Sequence, residues 1–256
     1  MQFKNDQGLV RPVTLPEVFG ESLTVLVKIL GNVFFMTILL YAPFYFAVAA
    51  LGIGKEITPG TVPSLPQALM LLAAGAVGIL LYFIQLMAIA RMAEGASTGA
   101  HVSLGAALKT SFSRLPVGLL TGLLAALIIF GLTILLIVPG IIWSVFYTFI
   151  FIAVALRGKA GKSALAYSKA LVSKNWWRVM LMLSVLLLAV AVVSVAVNFV
   201  SSLALQAFPE RQFFGFIPFF IQQLINAFSY VTYTVFFLKL ESLKGLRQVT
   251  IGLPRV

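Results

Sequence analysis

Residues 115–156 read LPVGLLTGLLAALIIFGLTILLIVPGIIWSVFYTFIFIAVAL, and these 42 residues contain no charged side chain. As a single helix the stretch would be roughly 60 Å long, about twice the thickness of the hydrocarbon core of a bilayer. It contains Pro139-Gly140, a dipeptide that is typical of turns. We therefore predict a membrane protein in which this stretch makes two crossings joined by a tight turn at residues 138–140.

The composition of the whole chain agrees with a membrane protein. Hydrophobic residues make up 61% of the 256 residues and charged residues only 10%, whereas soluble domains carry about 25% charged residues. The sequence contains no cysteine, which excludes a disulfide framework, a thiolate metal site and a catalytic thiol. The first 28 residues are too polar for a cleaved secretion signal, so we expect Met1 to be the native start.

The hydrophobic runs predict an all-α, polytopic membrane protein. We expect six transmembrane helices in three hairpins, with amphipathic helices at the cytoplasmic interface. The six crossings are placed at residues 33–53, 67–90, 117–138, 141–156, 179–205 and 216–238. The loop between the first two crossings is rich in proline and glycine, as loops are.

The distribution of basic residues predicts the orientation. If the N-terminus is inside, the inner segments hold 16 of the 18 Lys and Arg residues, and the outer loops hold only Lys55 and Arg211. Positive charge in short loops resists translocation. We therefore expect a multi-pass protein of the plasma (inner) membrane with both termini in the cytoplasm, and an odd number of crossings would destroy this partition.

This topology divides the chain into a single transmembrane domain, residues 1–256, with seven parts. They are an N-terminal cytoplasmic or interfacial segment (1–30), hairpin 1 (33–90), an interfacial segment (91–116), hairpin 2 (117–156), a basic interfacial segment (157–178), hairpin 3 (179–238) and a cytoplasmic tail (239–256).

The two inner segments before crossings three and five resemble each other. A shift of 60 places Lys109 on Lys169 and Ser113 on Ser173, and each segment has an apolar face opposite a cationic face. That pattern is typical of a helix lying in the membrane interface with its apolar face toward lipid. A weaker copy begins at Thr14, whose Thr-x-x-Glu sequence predicts a capping box. The copies indicate either three true repeats or a similarity that arises from shared physics.

Residues 136–178 resemble a known membrane family. The apolar run with Pro139-Gly140, the segment Ala164-Leu165-Ala166-Tyr167-Ser168 and the entry Asn175-Trp176-Trp177-Arg178 are similar to the membrane-domain family of glycerophosphoryl diester phosphodiesterases and to the related YciC-like proteins. The resemblance implies a six-span layout. The family usually has an acid between the fourth crossing and the Ala-Leu segment, but residues 157–162 contain none. Some family members carry a soluble phosphodiesterase barrel that performs the chemistry, but these 256 residues have no room for one, so we do not expect that activity here.

A cluster of six basic residues lies on the inner side and has no acid within it: Arg157, Lys159, Lys162, Lys169, Lys174 and Arg178. Such a cluster favours contact with anionic lipid headgroups. The alternative is that these charges only hold the loop on the inner side.

A second group consists of polar, uncharged residues inside the last two crossings: Asn198, Gln222, Gln223 and Asn226. In lipid such groups usually form hydrogen bonds between helices. The alternative is a polar path or ligand pocket.

The sequence predicts no catalytic residues, no metal site and no cofactor. We expect a non-enzymatic structural or accessory protein that contacts membrane lipids, preferentially anionic ones. A larger membrane complex or a homo-oligomer would be its protein partner, and nucleic acid is not expected. The competing hypothesis is a transporter or channel for a lipid or small molecule.

Overall fold

The structure is a computed structural model that describes residues 14–53, 62–207 and 216–244. The regular structure within these ranges is helical. The helices are α1 (Leu15–Ala50), α2 (Leu65–Thr98), α3 (Leu104–Leu135), α4 (Ile137–Phe146), α5 (Ile150–Arg157), α6 (Gly161–Val172), α7 (Trp176–Ala207) and α8 (Phe216–Leu243). The predicted outer loops with Lys55 and Arg211 lie outside the described residues.

Among the described residues, five helical segments are long and apolar enough to cross a membrane. They are Leu15–Ala50, Leu65–Thr98, Leu104–Leu135, Ile137–Arg157 and Trp176–Leu203. Their outer surfaces are apolar, with Leu135 76% and Leu187 71% exposed. Soluble proteins rarely expose apolar surfaces of this size to water. The chain is therefore an integral, helical, multi-pass membrane protein.

The expected sixth crossing, α8, is not among these five segments. It has 28 residues, which is long enough to span. However, Gln222, Gln223 and Asn226 interrupt its apolar character. The arrangement of six spans in three hairpins therefore stays a prediction.

The largest buried core joins the second half of α2, α5 and the second half of α8. It includes Met87 and Ile89 from α2, Ile152 from α5, and Val235 and Phe237 from α8. Helix α1 packs against α8 and α2, and α3 packs against α2, α4 and α5. Helix α7 contacts mainly α8, and most of its side chains face outward.

Two of the predicted interfacial segments are continuous with the crossings that follow them. Helix α1 begins at Leu15, and the Thr14 backbone N–H donates to Glu17 Oε2 at 3.3 Å, as expected for the capping box. It then runs without a break into the first predicted crossing. Helix α3 likewise begins at Leu104, where the Ser103 hydroxyl accepts from the Ala106 N–H. The sequence predicted a boundary between an interfacial helix and a crossing in both places. In the structure α1 and α3 are continuous helices and have no such boundary.

The turn between crossings three and four lies earlier than predicted. The only residue between α3 and α4 is Leu136, in extended conformation, and Pro139-Gly140 lies inside the first turn of α4. Proline is tolerated there because the first N–H groups of a helix have no intrahelical partner. Gly140 is required by packing rather than by a turn, since a Cβ at this position would lie 2.1 Å from Thr133 Oγ1.

The predicted fourth crossing is broken at residues 147–149, between α4 and α5. Ser168 of α6 is fully buried at this break. Its hydroxyl accepts from the Phe149 N–H at 3.2 Å and donates to the Phe146 carbonyl at 2.7 Å. One side chain thus replaces backbone hydrogen bonds that the break removes.

Helix α6 places its apolar face on the protein rather than on lipid. Its buried residues are Ala164, Leu165, Ser168, Leu171 and Val172. They pack against the core formed by its neighbours α3, α4, α5 and α8. The amphipathic pattern is present in the helix, but the prediction that its apolar face meets lipid is wrong.

Helix α6 also returns along α4, so that the start of α7 lies beside that helix. The Trp176 indole N–H donates to the Ile142 carbonyl at 3.2 Å. An upright, unbroken helix over residues 141–156 would hold its two ends about 24 Å apart, with Trp176 expected at the far end from Ile142. The predicted fourth crossing therefore consists of two helices, α4 and α5, that are not stacked into one upright rod.

Candidate functional site at the ends of three helices

A buried cluster of charged residues joins the C-terminal ends of α2, α5 and α8. The Arg157 guanidinium donates to Glu241 through Nε, at 2.9 Å from Oε1, and through Nη2, at 2.5 Å from Oε2. Its Nη1 donates to Glu94 Oε1 at 2.6 Å. The side chain of Glu241 is 0% exposed, that of Arg157 8% and that of Glu94 23%. The two-point contact with Glu241 is the strongest geometry for this kind of pair.

Local chain geometry brings Arg157 to this position. Helix α5 ends at Arg157 because Gly158 takes a left-handed conformation, with φ 61°, which favours glycine. On α3, Arg114 donates through Nη1 to the carbonyls of Val154, at 2.8 Å, and Ala155, at 2.6 Å. These carbonyls belong to the last turn of α5, where backbone donors are few, and the Val154 carbonyl also accepts from the Gly158 N–H at 3.2 Å.

Tyr167 of α6 completes the cluster. Its hydroxyl donates to Glu241 Oε1, and Lys159 lies with Nζ 5.9 Å from the centre of its ring. Burial, and then the hydrogen bond to Glu241, raise the pKa of the Tyr167 phenol above its ordinary value. The phenol therefore stays protonated and keeps donating to the carboxylate over the physiological pH range.

A second ion pair ties α1 to the same end of α8. Lys239 Nζ lies 2.7 Å from Glu21 Oε2, with the lysine side chain 7% exposed and the glutamate 37% exposed. Together with the Arg157 cluster it connects α1, α2, α5, α6 and α8. A buried charge is stabilised by its partner, and removal of that partner strongly reduces the free energy of unfolding.

The chemistry available to the cluster is limited. The Arg157 guanidinium already donates to both carboxylates. Among the described residues, no group of three or more His, Asp or Glu side chains could hold a metal ion.

The structure separates the six predicted headgroup-binding residues. Arg157 is paired with Glu94 and Glu241, so the acid-free cluster in the sequence receives two carboxylates in the fold. The other five are exposed: Lys159, Lys162, Lys169, Lys174 and Arg178. Lys169 lies over the indole of Trp143, with Nζ 4.3 Å from the ring centre. Their contact with lipid stays a prediction.

The residues of the predicted polar cluster in crossings five and six form side-chain hydrogen bonds within their own helices. On α8, Gln222 donates to Asn226 and Asn226 donates to Gln223, both at 3.4 Å. On α7, Asn198 is exposed and donates to the carbonyl of Ser194. Each of these bonds stays within one helix.

A cavity of about 360 Å³ lies among α2, α3, the break between α4 and α5, α7 and α8. Most of its lining is apolar or aromatic, including Tyr82, Phe151 and Leu183. The Ser144 and Thr148 hydroxyls in its wall donate to carbonyls of the preceding turn. The predicted polar residues of α8 are not part of this lining.

Sequence reasoning missed Glu94, Glu241, Tyr167 and Ser168. The two acids belong to helices separated from Arg157 by 63 and 84 residues, so no motif links them. The one sequence feature that pointed to these acids is that acidic residues are rare in the chain, with 7 acidic residues against 18 basic ones. An acid beside a hydrophobic run in such a chain is a candidate for a buried ion pair.

Comparison with protein families, with curated proteins and with solved structures finds no match for this chain.

Proposed function

We propose that this membrane protein is a non-enzymatic structural or accessory component that holds anionic lipid at one face of the inner membrane. The observation that carries the proposal is the exposed surface of five cations around α6, namely Lys159, Lys162, Lys169, Lys174 and Arg178. We call this surface the α6 cation face.

The physical basis is electrostatic attraction at a surface that also suits the membrane interface. Each Lys or Arg near an anionic leaflet contributes about 1 kcal/mol before screening. Trp177 is 76% exposed beside these cations, and tryptophan is enriched at headgroup level. The Arg157 cluster fixes the position of α6, which carries much of this face, because it connects α6 to the ends of α5 and α8.

Native mass spectrometry of the detergent-extracted protein tests the proposal. We expect anionic phospholipid to be retained in preference to zwitterionic lipid, and the preference to be lost when all five cations of the α6 cation face become glutamine. A control variant, Lys28→Gln with Lys109→Gln, removes exposed cations from α1 and α3 and should keep most of the preference. Retention of both lipid classes in membrane proportions by the unmodified protein would refute the proposal. The same spectra report whether a second copy or another protein stays bound.

The competing function is that of a transporter or channel for a lipid or small molecule. Such a protein needs a path, and the cavity among α2, α3, α7 and α8 is the feature that favours it. However, Gln222, Gln223 and Asn226 do not line the cavity, and the Ser144 and Thr148 hydroxyls in its wall donate to their own helix. Flux in proteoliposomes that is lost in Asn226→Leu would nevertheless favour transport over the accessory role.

A further inference from the structure

We propose that Lys174 and Lys244 form a binding site for the phosphate group of an anionic phospholipid. The inference rests on the proposed function and deepens it, since it assigns the bound headgroup to one end of the α6 cation face. It also adds Lys244, which belongs to a different part of the chain.

The site is built where the end of α8 meets the end of α6. Lys244 follows α8 directly, and its ammonium donates to the carbonyl of Ala170 in the last turn of α6. Lys174 lies in the short 3₁₀ turn of residues 173–175 that follows α6. An ammonium has three donors, so Lys244 keeps donors for a ligand after it has bound Ala170.

Aromatic residues define the surroundings of this pair. Lys169 is held over Trp143, and the Trp176 indole is fixed by its hydrogen bond to Ile142. Trp177 packs edge-on against Trp176, with ring centres 4.7 Å apart, and is largely exposed. Cations next to exposed indole are the combination expected at the level of lipid headgroups.

None of the acids that the structure describes is paired with Lys174 or Lys244. Among the described acids, Glu94 and Glu241 bind Arg157, Glu21 binds Lys239, and Glu17 caps α1. Residues 245–256 contain no acid in their sequence.

The two lysines also influence each other. Burial, and then the charge of Lys174, lower the pKa of Lys244 below its ordinary value. A phosphate between them would relieve this repulsion and replace it with two charge-assisted hydrogen bonds.

The experiment uses the full chain in nanodiscs of equal parts phosphatidylglycerol and phosphatidylcholine, with native mass spectrometry as the readout. The test variant is Lys174→Gln with Lys244→Gln. The matched control is Lys159→Gln with Lys162→Gln, which removes the same charge from the other end of the same face. We expect the test variant to weaken phosphatidylglycerol retention roughly tenfold, and the control, whose two cations belong to the general lipid-binding face, to weaken it only about threefold.

A second arm identifies the source of the phosphate. Its readout is the melting temperature. In nanodiscs of phosphatidylcholine alone, inorganic phosphate should not raise the melting temperature, whereas replacing half of the phosphatidylcholine with phosphatidylglycerol should raise it. A rise with inorganic phosphate that the test variant abolishes would overturn the lipid as the ligand. The single variant Lys174→Gln controls for misfolding of the double variant, because Lys174 is exposed. It should show part of the loss of phosphatidylglycerol retention.

Two further outcomes would overturn the inference, and they can be told apart. Equal losses in the test and control variants would remove the site but leave the α6 cation face as a general lipid contact. No preference for phosphatidylglycerol in the unmodified protein would remove the proposed function together with the site.

Discussion

At the scale of single residues, Arg157 joins the C-terminal ends of α2, α5 and α8. It is one cation between two carboxylates on two other helices, and the partner with two hydrogen bonds, Glu241, is fully buried. A buried pair of this kind adds little net stability relative to a well-packed apolar core. Removal of Arg157 would strongly destabilise the fold, because the buried Glu241 carboxylate would keep only the neutral Tyr167 hydroxyl as a partner.

Arg157→Gln tests this role. We expect it to reduce the free energy of unfolding by about 3–5 kcal/mol, since Glu241 would be left as an uncompensated buried charge. Glu94→Gln should cost much less, because Glu94 is partly exposed and Arg157 keeps Glu241. The measurement is denaturant or thermal unfolding in detergent. In a double-mutant cycle, Arg157→Gln with Glu241→Gln should recover part of the loss, and strictly additive losses would contradict the pairing.

Tyr167 gives a pH-dependent prediction. Its pKa is raised in the folded protein, so folding favours the protonated phenol. The stabilisation is fully present below about pH 10, the pKa of a free phenol, and is lost as the pH rises through the folded pKa. Tyr167→Phe should therefore remove part of the alkaline loss of stability, measured as melting temperature against pH. An unchanged alkaline profile would show that Tyr167 does not titrate with folding.

At the scale of elements, the break between α4 and α5 depends on Ser168. Ser168→Ala would leave the Phe149 N–H and the Phe146 carbonyl without their partner, and Phe149 is itself fully buried. We expect a loss of about 1–3 kcal/mol in the free energy of unfolding. The matched control is Ser173→Ala, because Ser173 is exposed and donates only to the nearby Ala170 carbonyl. Equal effects of the two substitutions would mean that the break is held by something other than the Ser168 hydroxyl.

The sequence predicted most long helices but not how they break and pack. Hydrophobic length is a property of the chain itself, so α1, α2, α3 and α7 were found. The break at residues 147–149 was not predicted, because Tyr147, Thr148 and Phe149 contain no breaker and the side chain that supports the break comes from α6. Pro139-Gly140 predicts a turn, although in the structure the proline fits the first turn of α4 and the glycine makes room for Thr133.

The candidate site was predicted only in part, for a related reason. Basic residues cluster along the chain, so most of the α6 cation face could be found from spacing. Lys244 and the carboxylates that bind Arg157 come from distant segments. Which cation is buried and which is free depends on helix packing, which the sequence does not show.

At the scale of the whole molecule, the account depends on the orientation of the helices in the bilayer. The Arg157 cluster, the Lys239–Glu21 pair and the α6 cation face all lie on the segments that the charge distribution assigns to the inner side. If that assignment holds, the buried ion pairs and the lipid-binding surface occupy the same end of the protein, and the apolar ends of α1, α3 and α7 occupy the rest of the membrane.

Single-cysteine labelling is the most direct test, because the chain contains no natural cysteine and each introduced thiol is the only reactive one. Ser64→Cys lies at the start of α2, on the predicted outer side, and Lys162→Cys lies on the α6 cation face; both native residues are exposed. With a membrane-impermeant thiol reagent, we predict that the Ser64→Cys variant is labelled in intact cells and the Lys162→Cys variant only after the membrane is opened. Labelling of both variants from the same compartment would contradict the topology on which the lipid-binding role depends.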